Sequence, residues 1–203
     1  MYTPEHFKLE NLDIIREIIG KYPFAVLIST IGEGPEAAHI PVLLSKDGSG
    51  LVGHMASGNP LLRENSNVLC VFHGPHAYIS PSWYESVQTV PTWNYISVHV
   101  KGTLHLLDKD QTEKVLQDSI LYFEPENSGY SYLTPKPEVR NSLLGKIQGF
   151  EIRNLTYEAK LKLSQNHSLE RRKKVIDSLE LSERDGDLKL AEWMRRINDI
   201  QKS

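Results

Sequence analysis

Imidazole and aromatic side chains are concentrated between residues 73 and 99, and their spacing suits two kinds of chemistry. The segment HGPH, 73–76, places two imidazoles three residues apart, as metal ligands often are. The run VPTWNY, 90–95, supplies large aromatic rings that could stack on a planar ligand. We predict no metal site, because the Gly and Pro of HGPH indicate a turn and no Cys or Asp nearby completes a plausible ligand set.

Motifs for covalent catalysis or nucleotide binding do not occur in the sequence. There is no GxSxG elbow, no Walker-type loop and no GxGxxG fingerprint. No grouping of His, Cys and carboxylate residues identifies a catalytic acid or base. We therefore predict no catalytic residues, and we favour a non-enzymatic function.

Composition and termini predict a cytoplasmic protein that is not bound to a membrane. The single cysteine, Cys70, lies in the apolar segment VLCVF, which favours a buried side chain and a reducing compartment. The N-terminus lacks a secretion signal, and the apolar runs are much shorter than the roughly 20 residues of a membrane span. The net charge of -3 gives no global reason to expect nucleic-acid binding.

A local basic segment near the C-terminus leaves two interpretations open. From residue 160 to 203 there are 11 Lys or Arg against 8 Asp or Glu, whereas the rest has 12 against 18. The quartet RRKK consists of Arg171, Arg172, Lys173 and Lys174. These four residues are candidates for direct DNA contact through two C-terminal helices, or they form a solvated helix face among interleaved acidic residues.

The elements that position these residues are mainly strands. Residues 24–30, 36–44, 51–56, 68–73, 77–83 and 93–107 read as short strands separated by turns. Alternation from Tyr95 onward places Ile96, Val98 and Val100 in a core. Six such strands favour a closed antiparallel barrel, because closure removes unpaired edges.

Helices are predicted at both ends of the chain and between strands. Asn11, Asn59, Asp108 and Ser168 are candidate N-caps, for helices that run to about residues 20, 65, 123 and 181. Residues 124–139 read as a loop, 147–163 as a further strand and 188–200 as the last helix. We predict a barrel domain over 1–165 and a helical extension over 166–203.

Five segments in order resemble a known family. They are MYTPEHF at the start, GHMASGNP at 53–60, GPHAYISPSWY at 74–84, VPTWNY at 90–95 and KLKLSQN at 160–166. The chain resembles the PaiB-type family of FMN-binding negative transcriptional regulators from Met1 to about Leu181. The resemblance implies an antiparallel split β-barrel, mainly β with peripheral and C-terminal helices, that forms a homodimer with flavin sites at the subunit interface.

The resemblance also implies a function, for which alternatives remain open. Family members are associated with repression of sporulation and degradative-enzyme genes, so we expect a negative transcriptional regulator with FMN as a candidate cofactor. The alternative is an FMN-dependent oxidoreductase whose regulatory effect is indirect. A haem-binding split barrel would need an axial histidine, for which His54 and His99 are the candidates.

An FMN site needs a wall for the ring, partners for its polar edge and groups for the phosphate. The candidates for the wall are Trp83, Tyr84, Trp93 and Tyr95. The candidates for the polar edge are Thr92, Asn94 and Gln165. The candidates for the phosphate are Ser57 and Asn59 with the N-terminus of the short helix, assisted by Arg63 or Lys162. The competing interpretation is that Trp83, Trp93 and Tyr95 only pack a dimer interface.

Overall fold

The computed structural model of this protein describes residues 1–83, 90–182, 184 and 186–200. These residues form eight strands and five α-helices. The strands are β1 (Lys8–Leu9), β2 (Phe24–Ile31), β3 (Gly34–Pro41), β4 (Leu43–Leu44), β5 (Leu51–Ala56), β6 (Ser66–Ile79), β7 (Thr92–Leu106) and β8 (Ile147–Lys162). The helices are α1 (Leu12–Lys21), α2 (Lys109–Phe123), α3 (Pro137–Leu144), α4 (Leu169–Glu180) and α5 (Asp187–Ile200). None of the helices in these ranges is long and apolar enough to cross a membrane.

The strands form one sheet in the order β3-β2-β6-β7-β8-β5-β4, and β1 joins it along β8. The registers of β1 with β8, β2 with β3 and β6, and β5 with β4 and β8 are all antiparallel. The prediction of a mainly β, antiparallel fold with C-terminal helices is confirmed. The predicted strand at 36–44 is in fact two strands, because Val42 leaves β3 and its N–H donates to the carbonyl of Pro23 at 2.9 Å.

Internal contacts divide the chain into two compact units. The first unit comprises Met1–Ile15, His73–Val98 and Glu158–Ser203, and the second comprises Arg16–Phe72 and His99–Tyr157. In the first unit, apolar side chains of α4 and α5 are buried, among them Leu179 and Met194. In the second, Phe72 and Phe150 are the largest fully buried side chains.

The predicted turn at 73–76 is wrong, because β6 runs without interruption from Ser66 to Ile79. Gly74 and Pro75 are buried within that strand, and the fixed φ of proline is compatible with extended backbone. The consequence is one long strand that carries His76 and Tyr78 toward its end.

The predicted helix at 60–65 is also wrong, because the segment forms turns. The Asn59 Oδ1 accepts a hydrogen bond from the N–H of Leu61 at 3.0 Å, which makes an Asx turn rather than a helix cap. Asn65 then adopts a left-handed φ of 59°. A helix that was not predicted, α3, begins at Pro137 inside the predicted loop, since proline suits the first helical position.

The other helix starts agree with their predicted caps. The Asn11 Oδ1 accepts from the N–H of Asp13 and of Ile14 at 3.0 and 3.1 Å. Asp108 and Gln111 form the reciprocal capping box before α2. These caps depend on contacts within three residues, which is why the sequence alone locates them.

Cys70 is fully buried in β6, and burial raises the pKa of its thiol to about 12. Because the thiolate is the nucleophile, the folded protein is expected to react with a thiol-specific disulfide reagent about a thousandfold more slowly than the denatured protein. Absorbance during labelling at pH 8, with and without denaturant, measures this ratio. Equal rates in the two conditions would show that Cys70 is accessible.

Candidate functional site

An aromatic surface formed by His76, Tyr78 and Trp93 lies in the first unit. The Trp93 side chain is 53% exposed, which is unusual for so large a ring. Its ring centroid lies 6.2 Å from that of His76 at an interplanar angle of 39° and 6.1 Å from that of Tyr78 at 75°. The neighbouring rings hold the indole in place while leaving half of it available for stacking.

Two lysines of β8 stand beside the start of β7. The Nζ of Lys160 lies 5.3 Å from the ring centroid of Tyr95, and it donates to the carbonyl of Tyr2 at 3.4 Å. The Nζ of Lys162 donates to the Thr92 Oγ1. Residues two apart in a strand share a face, so the two cations are presented on the same side of β8.

Asn94 lies on the buried face of β7, with Ile96 and Val98, and is 0% exposed. Its Nδ2 donates to the Ser164 Oγ at 2.9 Å and lies 3.7 Å from the Met194 Sδ. Its Oδ1 is buried and has no hydrogen-bond partner among the described residues. Asn94 therefore ties β7 to the segment after β8 instead of joining the exposed aromatic surface.

The amide of Gln165 closes the turn in which it lies. Its Oε1 accepts from the N–H of Leu163 and its Nε2 donates to the carbonyl of Leu161, both at 2.6 Å. Ser164, which lies between Leu163 and Gln165, has a left-handed φ of 65°. Both polar atoms of the amide are used by the backbone, as expected for a side chain that fixes a strained turn.

The remaining predicted flavin residues belong to different compact units or lie outside the described residues. Trp83 is half-buried in the short turn Pro81–Trp83, which packs against α4, and Tyr84 lies outside the described residues. Ser57, Asn59 and Arg63 belong to the second unit, where Ser57 and Arg63 are exposed. The helix N-terminus predicted for the phosphate does not exist, since residues 60–65 form turns.

The basic quartet does not form one exposed face. Arg172 is 9% exposed, and its guanidinium donates to the carbonyls of His167, at 2.9 Å, and of Gln165. Burial lowers the pKa of Arg172, although an arginine stays protonated at neutral pH. Arg171 contacts the His167 ring, Lys174 pairs with Glu170 at 3.5 Å and Lys173 is exposed.

The two candidate haem ligands, His54 and His99, lie in different strands. Within the described ranges there is no group of three or more His, Cys, Asp or Glu residues arranged to hold a metal ion. His54 is half-buried in β5, where burial lowers the pKa of its imidazole, and His99 is half-buried in β7.

The sequence prediction missed three residues of the candidate site, namely His76, Tyr78 and Lys160. His76 was missed because it was assigned to the turn predicted at HGPH, and Tyr78 was placed in the predicted strand 77–83 without a role at the site. Alternation provided a signal for Asn94, since an even-numbered position in β7 shares the buried face of Ile96.

The sequence of this chain is similar to a known protein family and to a named bacterial protein. Residues 1–154 match the model of a family described as "Putative FMN-binding domain". The Bacillus subtilis protein named protease synthase and sporulation protein PAI 2 is 36% identical over 202 residues, which cover 96% of each chain.

Solved structures share the split-barrel fold. The FAD and heme binding protein from Mycobacterium smegmatis superposes with a TM-score of 0.62 at 16% identity, covering 81% of this chain and 78% of that chain. The flavocytochrome Anf3 from Azotobacter vinelandii gives a TM-score of 0.63 at 13% identity, covering 76% and 69%. At these identities the likeness concerns the fold alone.

Proposed function

The chain belongs to the FMN-binding domain family, and from that membership we propose that it is a flavin-binding negative regulator of sporulation and degradative-enzyme genes. The 36% identity, along nearly the whole chain, to a protein named protease synthase and sporulation protein PAI 2 supports the connection with sporulation and protease synthesis. FMN is the cofactor supported by the family match and by the flavin-binding proteins of the same fold.

The half-exposed indole of Trp93 is the observation that carries the flavin part. A planar ring offered to solvent and braced by two further rings suits stacking of an isoalloxazine. Trp93 and Tyr95 would hold the ring, and Lys162 would supply positive charge. Bound FMN would supply reversible electron transfer, which is chemistry that no side chain of this site provides.

The polar edge of the flavin needs partners other than the predicted amides. Asn94 is turned into the core and Gln165 is engaged in its own turn, so neither is presented beside Trp93. Thr92, next to Trp93 in sequence, keeps a half-exposed side chain bonded to Lys162. We propose that Lys162, whose Nζ donates to the Thr92 Oγ1 at the start of β7, supplies the polar contact to the flavin.

A homodimer is part of the proposal, because exposed aromatic side chains are enriched at interfaces. In a dimer, the partner subunit would complete the wall around the Trp93 indole. Sedimentation equilibrium of the purified chain with and without FMN tests this arrangement. A monomer under both conditions would contradict it.

Titration of the purified protein with FMN, followed by quenching of flavin fluorescence, tests the cofactor directly. Saturable binding at micromolar concentration supports the proposal, whereas its absence would refute the flavin part. If FMN binds, NAD(P)H oxidation under turnover distinguishes the alternative, an oxidoreductase with indirect regulatory effect, from a regulator that uses flavin as a sensor.

Replacement of Trp93 by alanine is expected to weaken FMN binding roughly tenfold, because the stacking contact is lost. The conservative variant W93F should retain most of the affinity. Leu121→Ala is a matched control, since it removes another exposed apolar side chain, 75% exposed, from α2 in the second unit. Equal FMN affinity in W93A and L121A would place the flavin elsewhere.

A further inference from the structure

A cavity of about 260 Å³ lies inside the second unit, apart from the aromatic surface. Its walls come from β5, α2, the segment before α3, α3 itself and the start of β8. The residues that line it are His54, Leu116, Ile120, Tyr130, Tyr132, Pro135, Arg140, Leu143, Lys146 and Ile147. Every one of them belongs to the same compact unit, so the cavity is a property of that unit alone.

Most of the cavity wall is apolar. Leu116 and Ile120 are four residues apart in α2, which places both on one face of the helix, and Ile147 begins β8. Tyr130 and Leu143 form the outer part, where their side chains are 44% and 53% exposed. A ligand with an apolar body would bury these surfaces and gain the hydrophobic contribution.

One polar corner of the cavity is held rigidly. The guanidinium of Arg140 lies 5.3 Å from the ring centroid of Tyr132, and its Nη1 donates to the carbonyl of Pro135 at 3.0 Å. The Tyr132 hydroxyl donates to the Glu113 Oε1 at 2.8 Å. An arginine has five N–H donors in a fixed fork, so a guanidinium anchored by one of them still presents others to a ligand.

The charges at the cavity are positive. Arg140 and Lys146 both line it, and none of the described residues that line it is an aspartate or glutamate. Burial lowers the pKa of His54, so its imidazole is neutral at pH 7 and can exchange hydrogen bonds without adding charge. Glu113 is not a lining residue and accepts the Tyr132 hydrogen bond. The site therefore complements an anion.

We propose that this cavity binds a small carboxylate with an aromatic or branched apolar body. The carboxylate would meet Arg140 and Lys146, because a guanidinium matches the two oxygens of a carboxylate, and the body would contact Leu116, Ile120 and Ile147. The volume is below the roughly 300–1,000 Å³ of pockets for drug-sized ligands, so the cavity is too small for FMN. The proposal is independent of flavin binding.

Titration of the full chain with 4-fluorobenzoate, monitored by fluorine NMR, tests the proposal. The neutral isostere 4-fluorobenzamide is the matched probe. We expect saturable binding of the carboxylate and at least tenfold weaker binding of the amide. Absence of saturable binding, or equal affinity of the two probes, would overturn the proposal.

Three variants and one control variant locate the binding site. Lys146→Gln removes an exposed charge and Arg140→Gln the anchored one, so each should weaken 4-fluorobenzoate binding about tenfold. Leu143→Trp fills the mouth and should abolish binding, while Lys136→Gln, outside the lining, should leave it unchanged. If R140Q does not fold, K146Q and L143W decide the question. Unchanged affinity in both would overturn the proposal.

Discussion

Replacement of Arg172 by glutamate is expected to destabilise the protein by about 3 kcal/mol or more. Arg172 is 9% exposed, and its guanidinium donates to the carbonyl oxygens of Gln165 and His167. A carboxylate has no donor, so it would face two carbonyl oxygens without a hydrogen bond and would bury an uncompensated charge. The segment between β8 and α4 would lose its anchor.

Lys173→Glu is the matched control for Arg172→Glu. It makes the same charge change one position along α4, but at an exposed residue, so its effect should stay within about 0.5 kcal/mol. Thermal unfolding followed by circular dichroism should give a melting temperature roughly 6–12 °C lower for R172E than for K173E. Equal melting temperatures would show that Arg172 has no structural role.

This contrast bears on the prediction that the quartet contacts DNA. A charge reversal of all four residues would remove the anchor at Arg172 together with the exposed charge of Lys173. Loss of DNA binding in such a variant would then reflect a damaged C-terminal segment. The single variant K173E separates the two effects, because it leaves the hydrogen bonds of Arg172 intact.

Replacement of Gly102 by alanine is expected to cost about 3 kcal/mol. A Cβ at this position in β7 would lie 2.6 Å from both the carbonyl oxygen of Arg153 and the Cγ2 of Ile152 in β8. Real Cβ atoms do not approach that closely, and one of the two atoms belongs to the backbone. Two neighbouring strands would have to separate, which weakens their ladder.

Gly34→Ala is the control for Gly102→Ala. Gly34 also lies in a strand, β3, but no atom lies within 4 Å of its ideal Cβ position. Alanine there should be neutral or slightly stabilising, because it reduces the entropy of the unfolded chain. Urea unfolding should give a clearly lower midpoint for G102A than for G34A. Similar midpoints would mean that β7 and β8 adjust without cost.

Local signals in the sequence were enough for the helix caps and for the core face of β7. Asn11, Asp108 and Ser168 cap their helices through contacts with residues two or three positions ahead. The side chains of Ile96, Val98 and Val100 are all fully buried, as the alternation predicted. Such features depend on neighbours along the chain, which the sequence displays directly.

Local signals misled where a residue type suits more than one structure. Gly and Pro in HGPH indicated a turn, yet the backbone stays extended there as part of β6. Asn59 and Pro60 indicated a helix start, yet the Asn59 side chain closes a turn. In both places the residues are compatible with a second backbone conformation, and the segments around them were assigned incorrectly as a result.

The sequence by itself determined the family, the strand-rich fold and the two aromatic segments, 74–84 and 90–95, that supply residues of the candidate site. Only the tertiary structure decided which of those side chains remain available. It buried Asn94 and Arg172, engaged Gln165 in its own turn and left half of Trp93 exposed. The physical reason is that burial depends on packing between segments distant in sequence, as Asn94 illustrates, since its hydrogen-bond partner Ser164 lies 70 residues away.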